Sequence, residues 1–239
     1  MSKLIKIVTS ASFLLVITVF ITWQLSLPNK LTLRFYPYVG DQPLVLHDDT
    51  YPNPGGEGDF SIRDFQFFIS NLILESKQNS FQEQESYHLA RFDGSQPYYE
   101  IVIPDIAINS FEQLIFWVGV DPKANSTIVI AGELDPNSRM AWNWQVGYKF
   151  LLLEGSLLTK DTQIPLVYHI GFDESYTQLS FPLNDKSLSS DGVMNLKVDV
   201  IALFNQSNAI DMNNMSHVKF APQDVAKIAE GFKTFISVL

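Results

Sequence analysis

The chain of 239 residues contains no cysteine. Disulfides, thiolate metal centres and a cysteine nucleophile are therefore excluded together, and an exported domain of this sequence must draw its stability from its core. Histidine is scarce: His47, His88, His169 and His217 are the full set, too few for a histidine-rich catalytic centre. Phosphate-cradling glycine loops, HExxH and GxSxG are missing. No pair among the many carboxylates is marked out for glycoside hydrolysis, so the chain reads as a non-enzyme. Charged residues are sparse and unbalanced, 16 basic against 26 acidic. Lys3, Lys6 and Lys30 lie in the first thirty residues and no acidic residue does, so residues 31–239 carry a formal charge of −13. A surface of that sign repels phosphate backbones, which argues against nucleic acid as a partner.

Apolar and aromatic residues are abundant. With 46% hydrophobic residues, eighteen phenylalanines and nine tyrosines, the composition is that of a folded chain with a large core. Lys3 and Lys6 precede a charge-free run, Ile7 to Asn29, that includes SFLLVITVFITWQL. Its apolar part approaches the roughly 20 residues that span a bilayer as a helix, longer than the h-region of a cleaved signal. No small-x-small cleavage site stands out, so residues 1–30 read as an uncleaved N-terminal membrane anchor. Basic residues before it set the N-terminus on the cytoplasmic side and export residues 31–239 to the periplasm, held at the inner membrane.

Beyond the anchor, short apolar or alternating runs are separated by polar and turn-forming stretches, the spacing of an antiparallel β protein. LTLRFYPYV (31–39), DFQFFISNLIL (64–74), YYEIVIP (98–104), EQLIFWVGV (112–120) and TIVIAG (127–132) read as strands. So do GYKFLLLEGSL (147–157), PLVYHIGF (165–172), TQLSFPL (177–183) and LKVDVIALF (196–204). Helix is expected only as a turn around INSFEQL (108–114) and in the C-terminal APQDVAKIAEGFKTFISVL, where Val225, Ile228, Ala229 and Phe232 repeat at helical spacing behind Pro222. The economical fold is an antiparallel β-sandwich of eight or nine strands, closed by a short C-terminal helix.

The stretch MAWNWQVGYKFLLLEG, Met140 to Gly155, puts Trp142 and Trp144 two residues apart in a chain with four tryptophans. On a strand they share a face, and Met140 joins them if the strand starts early. Two readings stand: an apolar patch beneath a loop, or electron-rich indoles beside a thioether, suited to a soft metal such as Cu(I) or to oxidation. His169, in an apolar strand, is either satisfied by a backbone or carboxylate hydrogen bond or is a ligand. His47, before Asp48 and Asp49, is a loop ligand or a solvated residue. Met212, Met215 and His217 in DMNNMSH form a local cluster of soft donors in a stretch that also suits a surface loop. His88, after a polar run, is the weakest candidate. Asp121 and Asp135 precede prolines and read as turn formers. Glu154 in LLLEG is expensive to bury unpaired, so it needs a donor partner or a place at a strand end.

Several of these motifs occur in a familiar order. IFWVGVDP, then GELDPNSRMAWNWQVGYKFLLLEG, then YHIG resembles the MbnP-like family, exported copper-associated proteins linked to methanobactin operons and to surface copper-binding proteins of methanotrophs. The resemblance begins at LTLRFYPYVG, continues through FQFFISNLIL and ends with AIDMNNMSHVKFAPQDVAKIAEGFKTF. It implies a β-sandwich and a role in copper binding or handling, with copper as the metal. It also implies that Trp142 or Trp144 is a substrate for oxidation to kynurenine by a di-haem partner of the bacterial cytochrome c peroxidase type, and that His169 matches the family pattern. The chain departs from that pattern in carrying Arg139 where members often have glycine before the methionine, and no tryptophan closely follows His47 or His88. The alternative reading is an envelope binding or interaction module that uses exposed aromatics and no metal.

Overall fold

The computed structural model describes residues 30–127, 132–143 and 146–239. The expected membrane anchor, the interior of the 127–132 run and Trp144 lie outside the described residues.

Within them the chain forms β1 (Leu31–Val39), β2 (Gln42–Pro43), β3 (Tyr51–Pro52), β4 (Asp59–Glu75), β5 (Ser80–Gln82), β6 (Tyr87–Phe92), β7 (Tyr99–Ile103) and β8 (Gln113–Val118). There follow β9 (Ala141–Asn143), β10 (Gly147–Leu158), β11 (Gln163–Gly171), β12 (Thr177–Pro182), β13 (Val193–Asp199), β14 (His217–Val218) and β15 (Ile236–Val238). Period-two patterning decides the faces: in β1, Leu31, Leu33 and Phe35 are buried while Arg34, Tyr36 and Tyr38 turn outward.

The strands build two sheets. One runs β15-β13-β1-β2, with β7 also on β1; the other runs β12-β8-β4-β10-β11-β14, with β3, β5 and β6 on β4 and β9 on β10. The expected antiparallel sandwich needs correction on two counts. Both sheets are mixed, because β1 pairs β13 in parallel and β11 pairs β14 in parallel. Such pairs join strands far apart in sequence through a crossover, which local alternation does not signal. One of the two sheets is also curled into a half-barrel; the larger is the ten-stranded one. Its long strand β4 pairs β10 over residues 59–67 and β8 over residues 69–75, with a register shift between Ser70 and Ile73. Asn71, in that shift, has φ 54.

Aromatic rings fill the space between the sheets. Phe35 of β1 meets Phe116 of β8 edge-on at 5.9 Å, and Phe67 of β4 meets Phe235 at 5.2 Å. Burying each such ring contributes about 1.5–3 kcal/mol.

INSFEQL holds a single 3-10 turn, Ile108–Ser110, before β8 begins. The C-terminal helix covers Pro222–Ala229, shorter than its pattern suggested, and its Val225, Ile228 and Ala229 are buried. A 3-10 turn over Glu230–Lys233 then carries the chain into β15, paired with β13. Gly231 permits this turn to press on the neighbouring backbone, since a Cβ there would lie 2.6 Å from the Leu203 Cα. LKVDVIALF likewise leaves the strand at Asp199, whose carboxylate caps a 3-10 turn over Val200–Leu203.

Candidate functional site

The outer face of the larger sheet carries the chain's densest cluster of named ion pairs, and sheet register assembles it. Leu152 of β10 faces His169 of β11, and Glu154 faces Val167, so Glu154 and His169 are diagonal neighbours on one face. On its other side Glu154 lies opposite Asp64 of β4 while Gly155 lies opposite Ile62, which leaves Arg63 as the extra residue of a bulge. Bulges re-aim side chains, and here Arg63 reaches Glu154. Gly155 is required at this close approach, because a Cβ would stand 2.0 Å from the Ser61 carbonyl oxygen.

Glu154 is the hub. Its Oε1 accepts from His169 Nε2 at 2.8 Å, and its Oε2 accepts from Arg63 Nη2 at 2.6 Å and Arg139 Nη2 at 3.0 Å. Asp64 Oδ2 bridges the same two arginines at 3.3 Å each. The sequence expectation that Glu154 needs donor partners is met three times over.

Arg139 arrives from a segment laid across the sheet. Asp135 caps a 3-10 turn over Pro136–Ser138 that ends on Arg139 in the left-handed region, φ 70 and ψ 1. A non-glycine residue there costs roughly 1–2 kcal/mol. The geometry gives a physical reason for glycine at this position, and it also shows what arginine adds: a clamp on Glu154 and Asp64. The Arg139 carbonyl accepts from the buried Lys149 Nζ, and the Met140 carbonyl accepts from Lys149 N at 2.6 Å. The segment is thus held by backbone as well as by charge.

Beyond Met140 the chain enters β9, and Trp142 folds its ring onto β11. A Cβ on Gly171 would lie 2.6 Å from the indole Cζ3, and the ring centroids of Phe172 and Phe220 lie 5.5 and 5.4 Å away. Residues 169 and 171 are two apart on β11, where the register shift opposite them is taken up by the extra residue Phe150 of β10, so by strand alternation His169 and the Trp142 seat share a face. Among the described residues the buried indole Nε1 has no hydrogen-bond partner. Phe220, 57% exposed, lies against the ring.

Burial alone would raise the Glu154 pKa, but hydrogen bonds from His169 and Arg63 and the Arg139 charge bring it down to about 2. Burial pushes His169 below its ordinary value, against the hydrogen bond with Glu154 and reinforced by the Lys149 charge. His169 is therefore neutral at pH 7, donates from Nε2 and keeps its lone pair on Nδ1. Because the Glu154 value falls from 4.5 to about 2, the unfolded chain binds its proton first. Stability from this group is complete above pH 4.5 and is lost as pH falls toward 2, on the order of 3 kcal/mol. His169, shifted down as well, acts in the same direction below its ordinary value. Urea unfolding across this acid range should show the midpoint falling in wild type and falling less in Glu154→Gln; equal slopes would count against the assignment.

The residues singled out in the sequence fall in four places. His169 and Trp142 share the face just described, and Met140, fully buried, precedes Trp142. His47 is exposed in a groove with Arg63. Met215 and His217 line a second groove near Asp211 and Glu230, and Met212 is fully buried in the core. Among the described residues no group of three or more histidine, aspartate or glutamate side chains is placed to hold a metal ion. Arg63 and Asp64 were missed: nothing in SIRDFQFF marks the bulge that brings both to Glu154.

The MbnP family model matches residues 28–220. The chain belongs to the MbnP family. Its fold is similar to that of MbnP from Methylosinus trichosporium, with a TM-score of 0.55 at 16% identity over 87% of this chain and 97% of that one. At that identity the likeness is one of fold. No curated protein matches the chain. The match spans every element of the site, from β4 through Phe220, so the hub at Glu154 and the seat of Trp142 lie within the family domain.

Proposed function

We propose that this MbnP family member is an exported, membrane-anchored copper-handling protein that acts without catalysis of its own. In this reading Trp142 is the substrate of a di-haem peroxidase-type partner in the periplasm. One observation carries it: an oxidisable indole with an unpartnered Nε1 sits on the same strand face as a neutral histidine already oriented by a carboxylate.

The chemistry follows from the donors. Imidazole and carboxylate alone make no three-membered metal group among the described residues, so a copper site here needs a further ligand. Cleavage of the indole C2–C3 bond with two oxygen atoms supplied by two equivalents of hydrogen peroxide, activated at the partner's haems and released as water, would give N-formylkynurenine. Hydrolysis then releases the former C2 as formate and leaves an aromatic amine and a ketone in place of the pyrrole ring. In this reading the partner supplies the oxidant and this chain supplies the indole. His169, fixed through Nε2 by Glu154, would present Nδ1, the carboxylate–histidine–metal arrangement that raises ligand basicity. Copper is then cargo held by imidazole and the modified side chain, within the ligand range of that metal. Exposed Phe220 against the ring gives an approaching partner an apolar landing point beside Trp142.

Peptide mass spectrometry of the chain purified from its native host tests this. The Trp142 peptide is expected to carry kynurenine-type oxidation when the di-haem partner is present and to lose it when that partner is deleted. Unmodified Trp142 in the presence of the partner would overturn the reading and leave an interaction module in its place.

A further inference from the structure

A groove of about 400 Å3 opens beside the Glu154 hub, a size suited to a small ligand. Three of the chain's four arginines, Arg63, Arg91 and Arg139, line it together with His47 and the carboxylates Asp64 and Asp93. The chain as a whole carries a formal charge of −10, so this concentration of guanidinium runs against its overall sign. His47 and Arg139 both hold left-handed backbone, φ 69 and 70. Non-glycine residues kept there cost free energy, and such strain collects at ligand sites.

The three arginines are not equivalent. Arg63 and Arg139 are committed to Glu154 and Asp64. Arg91 instead donates from Nε to the Gln66 side-chain oxygen at 2.9 Å and from Nη2 to the Ser138 carbonyl at 3.3 Å, both neutral acceptors. Asp93, which also lines the groove, turns its Oδ1 to the Ser95 N–H and hydroxyl. A guanidinium has five N–H donors, and the named contacts occupy two nitrogens on each arginine. Gln66 and Ser138 therefore orient the Arg91 plane without an ion pair, although its charge is felt by Asp93 at the groove's edge. Phe65 and Phe92, next in sequence to Gln66 and Arg91, stack at 5.4 Å and 16° on the buried face of the sheet, opposite the Arg91 and Gln66 side chains.

We propose that this groove binds a small dicarboxylate. One carboxylate pairs with the Arg91 fork, and the second meets the exposed sides of Arg63 and Arg139. The planar fork of arginine matches a carboxylate in two parallel hydrogen bonds, and phosphate, which the same fork also accepts, is the competing occupant that the test separates. The site stands apart from the copper reading, since it uses neither Trp142 nor His169.

Saturation-transfer NMR on the full-length, metal-free chain with succinate as the probe tests the proposal. Transfer to the succinate methylenes is expected with a Kd below about 1 mM. Arg91→Gln should weaken binding by about tenfold or more, and Arg91→Lys, which keeps the charge but not the fork, should fall between the two. Arg91 is exposed, so a thermal melt of each variant should match wild type. No transfer at about 10 mM succinate, or equal transfer in Arg91→Gln, would overturn the proposal. Displacement by inorganic phosphate as effective as by unlabelled succinate would overturn the dicarboxylate assignment.

Discussion

Glu154→Gln is expected to lower stability by about 2–3 kcal/mol at neutral pH, a fall of about 5–10 °C in thermal midpoint for a domain of this size. The carboxylate is 11% exposed and holds three donors, from β4, β11 and the Asp135–Met140 segment. Glutamine keeps the volume but cannot balance Arg63 and Arg139, and it leaves Lys149 buried among cations. Breaking a fully buried pair costs about 3–5 kcal/mol. The figure here is smaller because the two guanidiniums are 56% and 55% exposed and retain Asp64. A midpoint within a degree of wild type would show that the hub is not what ties the segment to the sheet.

Gly171→Ala should act through the ring it touches. The added carbon would lie 2.6 Å from the Trp142 Cζ3 and 2.6 Å from the Tyr148 carbonyl oxygen. The second contact is backbone of the paired strand, so β10 and β11 cannot simply separate without losing their ladder, and the indole is the part that moves. Overpacking of this kind costs about 1–3 kcal/mol. The expected result is a red shift in tryptophan emission together with a lower thermal midpoint, and in the native host a changed yield of Trp142 oxidation. If emission and melting are both unaltered, the indole is not seated on Gly171.

How much of this was legible in the sequence depends on the range of the interaction. Apolar, strand-like runs bounded by turn-forming stretches revealed β1, β7, β8, β10, β11 and β12 nearly to their ends, β10 being buried on both faces over most of its length. They did not reveal β6, where polar and basic residues interrupt YHLARF, nor the parallel pairings β1–β13 and β11–β14, which local pattern does not encode. The C-terminal helix was readable from Val225, Ile228 and Ala229, whereas its end at Ala229 depends on Gly231 meeting Leu203 from a distant segment.

The site divides in the same way. The cost of burying a carboxylate alone was enough to require partners for Glu154, but their identity came from a bulge and a left-handed turn. Arg139 illustrates this most clearly: as a letter it is a cation before a methionine, and in three dimensions its backbone adopts the conformation glycine favours while its side chain closes the hub. Trp142 and His169 are twenty-seven residues apart in the chain, and only the β10–β11 register places their seats two residues apart on one strand.

The central claim is that the Trp142 and His169 face holds copper once the indole has been oxidised. The most direct measurement is the copper retained after gel filtration by the full-length chain purified from its native host, with wild type compared against Trp142→Phe. Near-stoichiometric copper in wild type and its loss in the phenylalanine variant is the predicted result. Equal retention by the two proteins would contradict the account.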